Sequence, residues 1–257
     1  MKYDLDIWDT VRTHSWKWQS GRVDVVGVIV HATRSGYPDR PASLEYQSAV
    51  NWFKSPFNAV LDSVGNKWYG GMSNYIIGGG QVCRAVPEDL VPRYSAGIHD
   101  FRAISIEMGQ GTNSDPYYDR DIELLQEAIY DLSMRYGFKT DRIPFVDANN
   151  SGWPGIVGHE DTAQGKGQGK SDPGPLLWQA LGELDMSPEE VEKIARRVFD
   201  EATPLYFLDL MKKYFTEVPV GDFSNAPDPD VIASITAEVA KRMPPLPPGT
   251  EFKGKVI

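Results

Sequence analysis

Residues Val23 to Val30, VDVVGVIV, form a short and nearly continuous β-branched run. A strand that is apolar on both faces must be covered on both, so the run belongs inside a sheet flanked by helices. It ends on a histidine, His31. After a polar loop holding Gly36 and Pro38, Leu44, Tyr46, Val50 and Phe53 are spaced for a helix over 43–53, capped by Ser43. The stretch NAVLDSVGNKWYGG alternates and turns at Gly65-Asn66, which predicts a hairpin. Further strands are expected around Val82 to Val86 and over Ala103 to Gly109, AISIEMG, which carries Glu107 inside an apolar alternation. The clearest amphipathic helix is Asp119 to Tyr136, with Ile122, Leu125, Ile129, Leu132 and Tyr136 at helical spacing. GIVGH predicts another short strand ending on a histidine, His159, and PLLWQAL a short helix.

This order predicts an α/β fold, a mixed central β-sheet flanked by helices, over residues 1–185. Beyond it the composition changes. SPEEVEKIARRVFDEA opens with a capping box, Ser187 with Glu190, and LYFLDLMKKYF and PDVIASITAEVAKRM read as two more helices before a stiff PPLPPG tail. Residues 186–257 are therefore expected to form a helical C-terminal region, with wall targeting and oligomerisation as its candidate roles.

Composition narrows the partners. The net charge of −10 argues against nucleic acid, which calls for a basic face. No run of about eighteen apolar residues exists, so stable membrane insertion is not expected. The acidic start MKYDLDIWDT lacks the apolar core of a signal peptide, and the lone Cys83 excludes an internal disulfide. Both fit a protein made and folded in a reducing cytoplasm.

Chemistry concentrates in GIVGHEDTAQGKGQGKSDPGPLLW, Gly155 to Trp178. Its glycines, with Lys170 and Ser171, resemble a phosphate cradle, but only three residues separate Gly165 from Gly169 where that loop needs four. The sequence Asp172-Pro173-Gly174-Pro175 also resists the helix that must follow. A nucleotide is therefore not expected. Two strand-end histidines and an aspartate in a rigid loop instead suit a catalytic zinc, which takes three protein ligands and leaves one position open; a closed structural site would want cysteines. Taken singly, each histidine also reads as an ordinary core residue and Asp172 as a turn residue.

Three segments, VIVHATRSG, SAGIHDFRAISIEMGQG and VGHEDTAQGKGQGKSDPGPLLW, together resemble the signature segments of the zinc-dependent type 2 N-acetylmuramoyl-L-alanine amidases, whose fold the peptidoglycan recognition proteins share. The resemblance covers residues 10 to 180. It implies one Zn²⁺ held by His31, His159 and Asp172, with Glu107 as the catalytic acid-base and Lys170 as a charge beside the carbonyl oxygen. The substrate implied is peptidoglycan, cut between N-acetylmuramic acid and the L-alanine of the stem peptide. Where relatives have His-Tyr this chain has Asn58-Ala59, and where they have His-Ala-Gly it has Tyr94-Ser95-Ala96-Gly97. Asn58 and Tyr94 are thus the substrate-binding candidates, although Tyr94 also reads as a buried structural tyrosine; His14 and His99 read as loop or surface residues. A phage endolysin, held in the host cytoplasm until release to the wall, fits these expectations. A recycling amidase, a non-catalytic peptidoglycan-binding module and a virion-associated wall-degrading protein are the alternatives.

Overall fold

In the computed structural model the strand carrying His31 pairs in parallel with the strand carrying Glu107 on one side and with the strand preceding His159 on the other. The structure describes residues 2–56, 59–61, 67–69, 71–93, 95–143 and 153–182, all within one compact unit, Met1–Leu184. The helices expected over 186–257 lie outside the described residues, as do Asn58 and Tyr94.

In chain order the elements are β1 (Leu5–Asp6), α1 (Trp8–Val11), β2 (Trp18–Gln19), β3 (Gly27–Ala32), α2 (Ala42–Lys54), β4 (Ala59–Leu61), β5 (Lys67–Tyr69), β6 (Tyr75–Gly78), β7 (Gln81–Arg84) and β8 (Val91–Pro92). After a 3-10 turn at Gly97–Phe101 come β9 (Ala103–Met108), α3 (Asp119–Tyr136) and β10 (Gly155–Gly158). A second 3-10 turn, His159–Asp161, leads to α4 (Ala163–Gly167) and α5 (Pro175–Leu181). The main sheet has the order β1-β7-β6-β9-β3-β10. All its pairings are parallel except β6 with β7. It is a mixed, mostly parallel sheet with helices on both faces, as the sequence predicts.

Alternation along β3 and β9 divides the core. Val28, Val30, Ala32, Ile104, Ile106 and Met108 face one way and pack with Ile122, Leu125, Ile129 and Leu132 of α3 and Leu177 and Leu181 of α5. Ile76 and Cys83 face the other way, against Tyr46, Ala49, Val50 and Phe53 of α2. Each fully buried aliphatic side chain in these layers contributes about 1.5–3 kcal/mol. The expected bounds of α3 hold. Gly137 closes it in the left-handed region, φ 71°, its N–H donating to the Ser133 carbonyl. At its first turn Asp121 accepts from the N–H groups of Gly79 and Gly80, fixing the β6–β7 turn.

Two local expectations shift. The helix expected to start on Ser43 starts at Ala42, with Pro41 in the cap position at φ −53° and no side-chain cap. The β-branched run pairs only from Gly27, where register with Ala103 and Gly155 begins; Val23 and Val26 instead donate to the loop carbonyls of Phe101 and Arg102. No helix among the described residues is long and apolar enough to cross a membrane.

Candidate metal centre

Strands β6, β9, β3 and β10 run parallel, so their carboxyl ends open on one edge of the sheet, where α/β folds place their sites. Register sets the spacing there. His31 is the direct neighbour of Glu107 across the β3–β9 ladder, both on the face away from α3. His159 follows β10 immediately and begins the 3-10 turn. Its ring lies 4.6 Å from that of His31, centroid to centroid.

Asp172 reaches the two histidines from the loop before α5, through a cis peptide bond to Pro173. That loop is held at several points. The Asp172 carbonyl accepts from the Glu160 N–H at 2.9 Å, the Tyr117 hydroxyl donates to the Pro173 carbonyl at 2.9 Å, and Arg34 donates to both the hydroxyl and the carbonyl of Ser171. The carboxylate is thereby delivered with one oxygen, Oδ2, at 3.2 Å from His159 Nδ1 and 3.6 Å from His31 Nδ1.

These three donors fit a small divalent cation. Atoms about 2.0–2.2 Å from a common tetrahedral centre stand roughly 3.3–3.6 Å apart, close to the separations seen here. All three ligand atoms lie within 4.8 Å of one another, and the residues are buried, His31 at 4%, His159 at 7% and Asp172 at 7% exposure. Burial and the neighbouring His159 and Lys170 outweigh the pull of Asp172 and lower the His31 pKa to about 4, so its ring is neutral at pH 7. Burial alone would raise the Asp172 pKa, but hydrogen bonds from His159 and His31 push it well below the carboxylate range. Two imidazoles and one carboxylate are a donor set for zinc rather than for calcium or magnesium. Cys83 takes no part, being buried against α2.

Glu107 stands beside this triad in a different electrostatic state. Burial and then the Asp172 charge raise its pKa to about 8, against the opposing effects of Ser73 and Lys170. Ser73 Oγ donates to Glu107 Oε2 at a long 3.4 Å. A cation seated among the three ligands would counter the Asp172 charge and draw that pKa down toward neutrality. Lys170 is exposed at the rim, with its ammonium in electrostatic reach of both Glu107 and His31.

The glycine-rich stretch is not an open loop. Its first half winds into α4, capped by Thr162, whose hydroxyl accepts from the Gly165 N–H and donates to the His159 carbonyl. Glycine is required at 165, because a Cβ there would lie 1.9 Å from the His159 carbonyl oxygen. His99 is a correction. The turn at Gly97–Phe101 directs it inward, to 7% exposure, where Nδ1 accepts from Trp153 Nε1 and burial lowers its pKa. It does not join the ligand cluster. Two contacts escaped the sequence reading: Ser73 beside Glu107 and Ser95 behind His31, the latter at 2.8 Å from Nε2. Nothing in the sequence marks Ser73, whereas Ser95 lies in the stretch Tyr94-Ser95-Ala96-Gly97 that departs from the pattern the resemblance implies.

A family model described as N-acetylmuramoyl-L-alanine amidase matches residues 21–175, a span that includes His31, Glu107, His159, Lys170 and Asp172. No curated protein matches the chain. Among solved structures, a selenomethionine derivative of AmpD is similar with TM-score 0.47 and 16% identity, over 76% of this chain and 95% of that one. The catalytic domain of XlyA is similar with TM-score 0.43 and 14% identity, over 70% and 92%. The N-acetylmuramoyl-L-alanine amidase LysC from Clostridium intestinale URNW gives 0.42 and 14%, over 71% and 97%.

Proposed function

The chain belongs to the N-acetylmuramoyl-L-alanine amidase family, and on that premise we propose that it is a zinc-dependent hydrolase of the amide between N-acetylmuramic acid and the L-alanine of the peptidoglycan stem, serving as a phage endolysin. The observation that carries this reading is the buried triad of His31, His159 and Asp172 beside a glutamate whose pKa is raised toward neutrality. A zinc ion held by the triad would supply Lewis acidity and a water of lowered pKa. In this reading Glu107 accepts the proton of the attacking water and returns it to the departing L-alanine nitrogen, which needs a carboxyl poised near the working pH. Lys170 places positive charge where the carbonyl oxygen becomes negative. His31 stays neutral because it is buried. Asn58 and Tyr94 contact substrate in this proposal. Residues 1–185 carry the chemistry, and 186–257 form a helical region that directs the enzyme to the wall or pairs two copies.

The test is metal analysis of the full chain together with release of new L-alanine amino groups from purified walls, before chelation, after chelation and after zinc is returned. One zinc per chain and chelation-sensitive amine release are expected. Release of reducing sugar without amines, or amine release indifferent to chelation, would overturn the proposal; retention on walls without cleavage would favour the binding module.

A further inference from the structure

Behind His31, on the side away from Asp172, the sheet face and the turn at Gly97–Phe101 enclose a polar cluster that the proposed reaction does not use. Ser95 Oγ lies 2.8 Å from His31 Nε2 and 3.1 Å from Ser105 Oγ. Ser95 is 3% exposed and Ser105 is fully buried, on β9 two residues before Glu107. Asp100, 2% exposed, takes the Ala96 N–H on both carboxylate oxygens at 2.8 and 2.9 Å and is also hydrogen-bonded by Ser95. Arg22 holds the Asp100 carbonyl from beneath at 2.9 Å.

Proton counting gives this cluster a direction. A neutral imidazole carries one N–H, so a His31 that offers the Nδ1 lone pair to a cation carries its proton on Nε2. That N–H must then donate to Ser95 Oγ, whose own O–H donates in turn to Ser105 Oγ or to the Asp100 carboxylate. His159 is treated differently: its Nε2 is buried with no hydrogen-bond partner among the described residues. Resting on the zinc reading above, we infer that Ser95 is a positioning residue that holds His31 in its Nε2–H form with Nδ1 facing the metal, and that Asp100 and Ser105 orient Ser95.

The test is zinc affinity of the full chain, by chelator competition, for the wild type, Ser95→Ala and Ser95→Thr. Outer partners of ligating histidines typically contribute 10- to 100-fold in metal affinity, so Ser95→Ala is expected to bind zinc about 10- to 100-fold more weakly. Ser95→Thr, which keeps the hydroxyl, should stay within about threefold of wild type, and the metal-free proteins should melt together. A second readout needs no variant: in zinc-loaded protein with ¹⁵N-labelled histidine, the His31 Nε2–H gives a slowly exchanging proton signal. Ser95→Ala that binds zinc as the wild type does, or a His31 Nε2–H that exchanges too fast to detect, overturns the inference while leaving the zinc reading intact. A wild type that takes up no zinc instead overturns the zinc reading, and this inference with it.

Discussion

Two glutamates, Glu88 in the turn after β7 and against α3, and Glu107 on β9 facing away from α3, have pKa values shifted in opposite directions. Burial acts on both and by itself raises both. Glu88, beneath the C-terminal turn of α3, is gripped by Arg135 and by the hydroxyls of Tyr136 and Tyr75, and these outweigh burial and lower its pKa to about 2. Glu107 meets another anion, Asp172, and no such grip, so its pKa rises to about 8. The side under α3 is apolar, and this charge on it is matched by a partner. The side of the site gathers polar groups and sets Glu107 near a second carboxylate, which keeps Glu107 ready to exchange protons. Alternation within β3 and β9 lets one pair of strands serve both purposes.

Four experiments bear on that contrast. His159→Ala removes a proposed ligand and should abolish zinc uptake and turnover together; metal analysis showing full zinc occupancy would break the assignment of the site face. Glu107→Gln should keep zinc but lower kcat on the order of 10²- to 10⁴-fold, because it removes only proton transfer. Equal zinc loss in both variants would mean that Glu107 belongs to the ligand set. On the other face, Leu125→Ala should lower unfolding stability by about 2–5 kcal/mol in a denaturant titration, with turnover per folded molecule unchanged. A drop in specific activity would show that the two faces are not independent.

The smallest effect concerns acid. The Glu88 pKa lies near 2 when folded, against an ordinary value of 4.5. Its stabilising effect is therefore complete above about pH 4.5 and is lost as pH falls through about 2. Between pH 6 and pH 3 that one group should cost the wild type about 2 kcal/mol, a slope that Glu88→Gln lacks. Matching acid limbs in the two proteins, followed by circular dichroism, would remove Glu88 from the contrast.

Legibility in the sequence followed the length and regularity of each signal. The run ending on His31, the Glu107 strand, the strand before His159 and α3 all show in apolar periodicity, because each is long enough or buried enough to impose a pattern. Strands β1, β2 and β8 are two residues each and impose none. Strand β6 offers only Tyr75, Ile76 and Ile77 between polar residues and glycines, too short a run to separate from a loop. The candidate ligands, Glu107 and Lys170 are legible as a set only through the family resemblance; parallel register brings His31, Glu107 and His159 to one edge, Asp172 arrives from the loop before α5, and no single segment encodes either. Ser73 and Ser95 were missed for a related reason: each acts on a residue more than thirty positions away, and a serine carries no periodic or compositional mark.

The close approach of Gly165 to the His159 carbonyl grades the glycines of this segment by how freely each can be exchanged. At Gly167 a Cβ would meet nothing within 4 Å, while Gly169, at φ +66°, has space but a backbone that L side chains rarely adopt. Alanine at 167 would reduce the chain's freedom before folding, and alanine at 165 would push the histidine backbone out of place. A stretch that reads as uniform glycine-rich filler is therefore a graded set of permissions, and an engineer stiffening this enzyme would begin at 167 and leave 165 alone.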